Sequence, residues 1–271
     1  MSTQAMQLIA GFALAALVGA AAWRARLLSA SGAWAAFVIG GLLFGLGGLS
    51  WAALLLTFFL SSSALSRAFA RQKSGLVEKF AKGARRDWGQ VLANGSLGAA
   101  LVILQALYPE RGEFWLAFVG GMAAVNADTW ATELGVLSPG PPRLITNGRP
   151  VERGASGGVS LVGYLAVLGG GLLVGAVATV FTRGLPASCL LAGAAVAGLA
   201  GSSFDSYLGA ALQAMYRCSR CQRETERHPY HSCGGETFQV RGLAWLNNDW
   251  VNLACSLVGA LTLLILRMLI C

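Results

Sequence analysis

GGMAAVNADTWATELGVL, residues 120–137, is the stretch on whose reading the fold depends. It closes an apolar run that begins near Phe114, yet it sets Asn126, Asp128, Thr129, Thr132 and Glu133 where a helix in lipid would carry leucines. An ionisable side chain at the centre of a bilayer costs about 2.5–3.5 kcal/mol on insertion scales, so it is read first as a functional residue. The anomaly recurs twice. GLAGSSFDSYLGAALQ, residues 198–213, carries Asp205 and Ser206, and WLNNDWVNL, residues 245–253, carries Asn247, Asn248, Asp249 and Asn252.

Composition agrees that lipid is the solvent. Of 271 residues 55% are hydrophobic and 12% charged, with 36 glycines, which describes one helical membrane bundle over residues 1–271 better than a set of soluble domains. Formal charge is +8, and 17 of the 20 Lys and Arg fall in four connections: Trp23 to Ser29, Arg67 to Gly89, Ser138 to Gly157 and Tyr216 to Leu243. Basic residues mark cytoplasmic loops. Because these loops alternate with apolar spans, the positive charge reads as topology, and nucleic acid is not expected as a partner.

Spans of 17–25 apolar residues cross the hydrocarbon. The candidates are 5–22, 30–48, 50–66, 90–107, 114–136, 158–181, 187–215 and 250–270, an all-α, polytopic protein of about eight transmembrane helices. The first run lacks a basic leader and is followed by Arg24 and Arg26, so it reads as an uncleaved span with its N-terminus outside. All four basic connections then share the cytoplasmic side of the cell inner membrane, leaving Tyr108–Glu113 and Thr182–Pro186 outside. Gly45, Gly47 and Gly48 interrupt 30–66, where a re-entrant pair is the other reading. Small residues four apart, as at Gly41 and Gly45 or Gly171 and Gly175, read as helix packing. Asn126 to Trp130 and Ser203 to Tyr207 share the order polar, any, Asp, hydroxyl, aromatic, an internal echo of the kind found in repeat-built transporters and membrane enzymes.

In this topology Asp128, Asp205 and Asp249 occupy the cytoplasmic halves of their helices, with Asn94 near the inner start of the fourth span. Carboxylates gathered with Asn and Ser make an all-oxygen ligand set, which suits Mg2+ with phosphate and water. A hydrogen bond to a neighbouring helix, or a proton relay, is the plainer alternative for each Asp. RLITNGRPVERGASGGVSLVG, residues 143–163, carries a glycine run, Gly154 to Gly158, leading to the sixth span. Its backbone amides at a helix start would cradle phosphate, with Arg143, Arg149 and Arg153 adding charge; a simple turn is the alternative. Arg85 and Arg86, in KGARRDWGQVLANG (82–95), either snorkel to the anionic leaflet or clamp a phosphate. Cys189, Cys255 and Cys271 lie in apolar spans and read as packing residues. Cys218, Cys221, His231 and Cys233 share the 216–243 connection, where they can supply four ligands to a structural Zn2+ or remain free thiols.

Together, NADTWATELGVLS, the 143–163 loop, GSSFDSYLGA and WLNNDWVNL resemble the integral membrane family that includes plant phytyl-phosphate kinase and human transmembrane protein 19. The resemblance implies an Mg2+-dependent phosphotransferase that converts an isoprenoid (phytyl or polyprenyl) monophosphate to the diphosphate, with CTP or another nucleoside triphosphate as donor. The matching positions are Asn126, Asp128, Thr132 and Glu133, then Ser156 and Gly157, Asp205 and Ser206, and Asn248, Asp249 and Asn252, with Arg86, Gln90 and Asn94 from the fourth-span motif. On this expectation Asp128, Asp205 and Asp249 hold Mg2+, Glu133, Asn126 and Arg86 complete the catalytic group, and the isoprenoid tail lies between helices in the bilayer. Gln90, Asn94, Arg143, Gly154, Ser156, Gly157, Gly158, Ser206, Asn248 and Asn252 then contact substrates. A transporter or flippase for a phosphorylated lipid or an ion is the alternative, since polar residues in repeated helices suit that as well.

Overall fold

α4, Glu113–Leu134, runs through the middle of the molecule. Every residue from Leu116 to Ala127 is buried, so this helix has no lipid-facing stripe and must be enclosed on all sides. It packs against α2, α3, α5, α6 and α7. The others are α1 (Thr3–Arg24), α2 (Ala30–Ala68), α3 (Trp88–Leu107), α5 (Leu161–Phe181), α6 (Ala187–Ala211) and α7 (Asn248–Ile270) in a computed structural model describing residues 3–70, 72 and 85–270. All six are long and apolar enough to cross a membrane; α4, with its acids and amides, is the polar exception at the centre. Part of the Arg67 to Gly89 connection, including Lys82, and the Cys271 position lie outside the described residues.

α2 has 39 residues, and at 1.5 Å per residue a straight helix of that length would span roughly 58 Å, about twice the hydrocarbon thickness. It is broken at Gly48, whose φ of 72° and ψ of −157° are not helical. Glycine reaches this region without the Cβ penalty of other residues. Among the described residues the seven α-helices thus supply eight helical segments, with the expected glycine interruption serving as the joint.

Two ends of the bundle are distinguishable by contacts. At one, Trp51, just past the Gly48 joint, faces Trp115 at 5.6 Å. There Trp115 donates to Thr182 Oγ1 at 2.9 Å, and Arg267 lies 3.6 Å from Glu113. At the other, Ser29 N donates to the Arg86 carbonyl at 2.9 Å and Arg67 reaches the Ala25 carbonyl. The basic connections Trp23 to Ser29 and Arg85 to Gly89 therefore share one end.

Association of helices in lipid rests on close van der Waals contact. A Cβ on Gly11 would stand 2.6 Å from the Gly45 amide nitrogen, and one on Gly171 would stand 2.8 Å from the Ala194 carbonyl oxygen. Gly45 and Gly171 therefore act as the packing positions their spacing suggested. Cys255 is buried, whereas Cys189 is disulfide-bonded and is not a simple packing thiol.

Short strands interrupt the helical pattern at the basic end, which alternation in the sequence did not announce. β1 (Arg143–Leu144) pairs antiparallel with β2 (Gly158–Val159), so the glycine run ends in a strand. α5 starts only at Leu161, with Ser160 Oγ accepting from Gly163 N at 3.1 Å. The expected span 158–181 is shortened for that reason. The expected span 187–215 ends at Ala211, and β3 (Met215–Cys218), β4 (Glu224–Thr225) and β5 (Thr237–Arg241) form a sheet in the order β4-β3-β5. Arg241 Nη1 donates to the Gly209 and Ala210 carbonyls at 2.9 and 2.8 Å, satisfying orphan groups at the end of α6 and fixing the sheet to it.

Candidate functional site

A cavity of about 870 Å3 opens at the basic end of the bundle, among α3 to α7, the β1–β2 loop and the β3–β5 sheet. Asp128 reaches it from α4, Asp205 from α6 and Asp249 from the first turn of α7. Acids separated by up to 121 positions thus line one space. Ser202, one turn before Asp205, donates to Asp128 Oδ1 at 3.0 Å, and Asp205 lies within electrostatic reach of Asp128 and Glu226. Asp205 Oδ2 is buried with no hydrogen-bond partner among the described residues. Carboxylates this close repel unless a cation stands between them.

Asp249 owes its position to an amide cap. Asn247 Oδ1 accepts from the Asp249 and Trp250 amides at 3.0 and 3.2 Å, starting α7 with its acid at the cavity. Asn248 and Asn252 line the same wall, one helical turn apart. Ser206 sits beside Asp205.

Arg86 enters from the turn before α3. Its backbone is held on both sides, donating to the Leu27 carbonyl at 3.0 Å and accepting from Ser29. The guanidinium lies over the Phe58 ring, 5.1 Å from the centroid, and Nη2 donates to Ser62 Oγ at 2.9 Å. Burial pulls its pKa down to about 10, with the Glu133 carboxylate opposing that shift, so it is cationic at neutral pH. Nη1 is buried and has no hydrogen-bond partner among the described residues. Glu133, also buried, accepts from Ser66 Oγ at 2.7 Å. Asp87 and Gln90 close a capping box at the start of α3, so the Gln90 side chain that borders the cavity is also a structural cap. Asn94 follows one turn later, its Nδ2 donating to the Gln90 carbonyl.

Two expected residues lie elsewhere. Asn126 is fully buried away from the cavity, accepting from Ser61 Oγ at 3.0 Å and donating to the Gly170 carbonyl at 2.8 Å. Since Trp130 Nε1 also donates to Ser61 Oγ, Asn126 belongs to a polar tie between α2, α4 and α5. Arg143 turns outward, its Nη1 on the Gly148 carbonyl, and is exposed. Strand β1 fixes that orientation.

The glycine run also differs from expectation in kind. Gly154, Ser156, Gly157 and Gly158 line the cavity, but they are not the start of α5, which Ser160 already caps. Gly157 has φ of 82°, and a Cβ there would meet the Ala210 backbone nitrogen at 2.7 Å. Its neighbour Ser156 donates to Gln213 Oε1 at 3.0 Å, and Gln213 Nε2 donates to Glu226 Oε1 at 2.9 Å. Gly157→Ala is expected to destabilise the protein by about 2–4 kcal/mol, the sum of left-handed strain and a backbone clash. Gly148→Ala, at φ of 69° with nothing within 4 Å, should cost only the strain, about 1–2 kcal/mol. Melting in detergent separates them, and equal melting temperatures would refute the close-approach argument.

Sequence reasoning missed Ser202, Gln213, Glu226 and His228 as cavity residues. Ser202 was signalled by the serines around Asp205; the others sit in a connection with no periodicity to read. In that connection Cys218, Cys221, His231 and Cys233 bring their ligand atoms within 4.8 Å of one another.

The family described as "Integral membrane protein DUF92" matches residues 13–260. Protein PGR of Arabidopsis thaliana is 34% identical over 269 residues, 91% of each chain. Uncharacterized membrane protein MJ0933 of Methanocaldococcus jannaschii is 30% identical over 243 residues, covering 88% of this chain and 85% of its own. "Protein VTE6, chloroplastic", also of Arabidopsis thaliana, is 27% identical over 253 residues, covering 90% of this chain and 66% of its own. No solved structure matches.

Proposed function

The chain belongs to the DUF92 family of multi-pass integral membrane proteins, and from that premise we propose that it is an isoprenoid monophosphate kinase using a nucleoside triphosphate, CTP first among them. The observation that carries the reading is a junction of two unlike spaces. The acidic cavity is contiguous with a narrow apolar cleft between α1, α2 and α3, lined by Leu14, Val18, Ile39 and Phe59, and the two share Phe58, Arg86, Gln90 and Asn94. A substrate with a phosphate head and a hydrocarbon tail has that polarity. Its head would meet Arg86 at the junction and its tail would leave toward lipid through the cleft.

Phosphoryl transfer asks for positioning and charge neutralisation rather than covalent chemistry from the protein. In the proposed reaction a phosphate oxygen of the acceptor forms a bond to the γ-phosphorus. The bond from that phosphorus to the β–γ bridging oxygen breaks, and the nucleoside diphosphate leaves with the electron pair. The acceptor phosphate is already anionic near neutral pH, so no strong general base is required. Arg86 orients the acceptor head. Ser202 holds Asp128 in one orientation, and Asn247 fixes Asp249.

The donor set fits Mg2+: three aspartates with Asn and Ser oxygens around them, and one buried Asp205 oxygen lacking a protein partner among the described residues. When bound there, Mg2+ would neutralise the phosphate charge that builds up in transfer. The cavity faces the cytoplasm of the cell inner membrane in this reading, because the basic connections gather at that end.

The test is direct. Purified protein in detergent, given Mg2+, labelled CTP and phytyl or geranylgeranyl monophosphate, is expected to yield the labelled diphosphate, and to yield none when Mg2+ is chelated. Absence of product with every nucleoside triphosphate and isoprenoid phosphate tried, from protein shown to be folded, would refute the kinase.

A further inference from the structure

We infer that Cys218, Cys221, His231 and Cys233 bind one Zn2+, and that this ion holds the Glu226–Tyr230 segment against the wall of the cavity. The four ligand atoms all lie within 4.8 Å of one another, and four of their six separations are close to those of a zinc tetrahedron. With Zn–S near 2.3 Å and Zn–N near 2.0–2.1 Å, tetrahedral geometry places ligand sulfurs about 3.8 Å apart and sulfur and nitrogen about 3.5 Å apart. The observed separations are 3.8 Å for Cys221 to Cys233, 3.5 Å for Cys218 to Cys233, 3.5 Å for Cys221 to His231 Nδ1 and 3.2 Å for His231 Nδ1 to Cys233. A disulfide would bring two sulfurs to about 2.05 Å, and all three of these cysteines are free thiols.

Local structure supplies the ligands in pairs. Cys218 ends β3 and Cys221 follows in the turn, where the Gln222 amide returns to the Cys218 carbonyl at 3.0 Å. His231 and Cys233 flank a second turn, in which Gly234 N donates to the His231 carbonyl at 2.9 Å and Gly234 takes φ of 79°. Cys218 and His231 are buried although the sheet offers little apolar core of its own. A small polar sheet of this kind gains its folding energy from metal.

The chain between the second and third ligands is what makes the ion matter to the cavity. Residues 222–230 leave the cluster at Cys221 and return at His231, and within them Glu226, His228 and Tyr230 line the cavity. Glu226 is tied through Gln213 to Ser156 of the glycine run, and His228 stacks on Tyr216 of β3 at 4.5 Å. Releasing the ion frees both ends of that segment at once. This second half rests on the kinase reading only for its consequence on turnover, not for the binding of metal.

The experiment uses the full chain in detergent under reducing conditions. Elemental analysis is expected to find one zinc per chain in the parent, and little in Cys221→Ser or His231→Ala, while Cys255→Ser keeps it. Cobalt exchanged into the site should give the visible bands of a tetrahedral thiolate complex, lost in the same two variants. Chelation should speed tryptic cutting after Arg220, Arg223 and Arg227 about tenfold or more, as expected of a locally unfolded segment, leaving the helical bundle intact. Protein that takes up neither zinc nor cobalt, or variants that keep full stoichiometry and the cobalt bands, would overturn the site. A metal-loaded protein whose cutting does not change on chelation would overturn the strut. A protein with zinc but no kinase activity would leave both standing and count against the proposed function alone.

Discussion

Asp128→Asn and Asp205→Asn are each expected to lower phosphoryl transfer by about 10²–10³-fold while leaving melting in detergent nearly unchanged. The substitution keeps the shape and removes one charge. Asp205 Oδ2 has no partner among the described residues to lose, and in the Asp128→Asn variant Ser202 can still donate to the side-chain amide oxygen that replaces the carboxylate. Relief of repulsion between the two acids can even raise stability slightly. The loss in rate should be accompanied by a shift of the Mg2+ requirement to higher concentration, which a structural role would not produce. Asn126→Ala is the control from the same helix. It breaks the link from Ser61 to Gly170 and leaves buried groups unpaired, costing about 1–3 kcal/mol of stability with kcat/KM of the surviving protein close to that of the parent. If Asn126→Ala removed activity without destabilising, or either aspartate variant retained full rate, the arrangement argued for the cavity would be wrong.

Arg86→Ala is the second large effect, with an expected fall of about 10²-fold or more in kcat/KM for the isoprenoid phosphate. The guanidinium lies over Phe58 and is fixed by Ser62, Nη1 is buried with no partner among the described residues, and the residue borders both the acidic cavity and the apolar cleft. Arg86→Lys separates charge from geometry. It retains the cation near Glu133 but loses the planar fork and the stacking, so it should recover stability and only about a tenth of the rate. Initial rates over a range of acceptor concentrations, beside a melting curve, read both. Equal losses for soluble and membrane-bound acceptors, with no change in KM, would argue that Arg86 serves the bundle rather than the substrate.

The bundle was legible because lipid imposes a length and a composition on each crossing, and because basic residues were confined to alternate connections. Even the joint at Gly48 was visible as a glycine cluster in an apolar run too long for one crossing. The acids were legible for the converse reason, that nothing but function or pairing tolerates them there. Their convergence was expected from a shared depth in the topology and from the family resemblance, but the neighbours that join Asp128, Asp205 and Asp249 were not, since those depend on helix packing that small residues permit in many arrangements. Asn126 and Arg143 show the limit most plainly. Asn126 sits one turn from the wall and turns away from it to tie three helices, and Arg143 is aimed outward by two residues of strand that no pattern marked. Gln213 and Glu226 were hidden because their partners come from a loop some 57 residues earlier and a small sheet with little apolar core of its own.

The unbroken burial of α4 from Leu116 to Ala127 carries a consequence for sidedness. A helix packed solid over that length carries no aqueous path along itself, so on the kinase reading the nucleotide and its diphosphate product would use the mouth at the basic end, while the acceptor and its product pass through the cleft toward lipid. Turnover of that sort moves no net charge across the bilayer, and in sealed vesicles its rate should be indifferent to an imposed voltage.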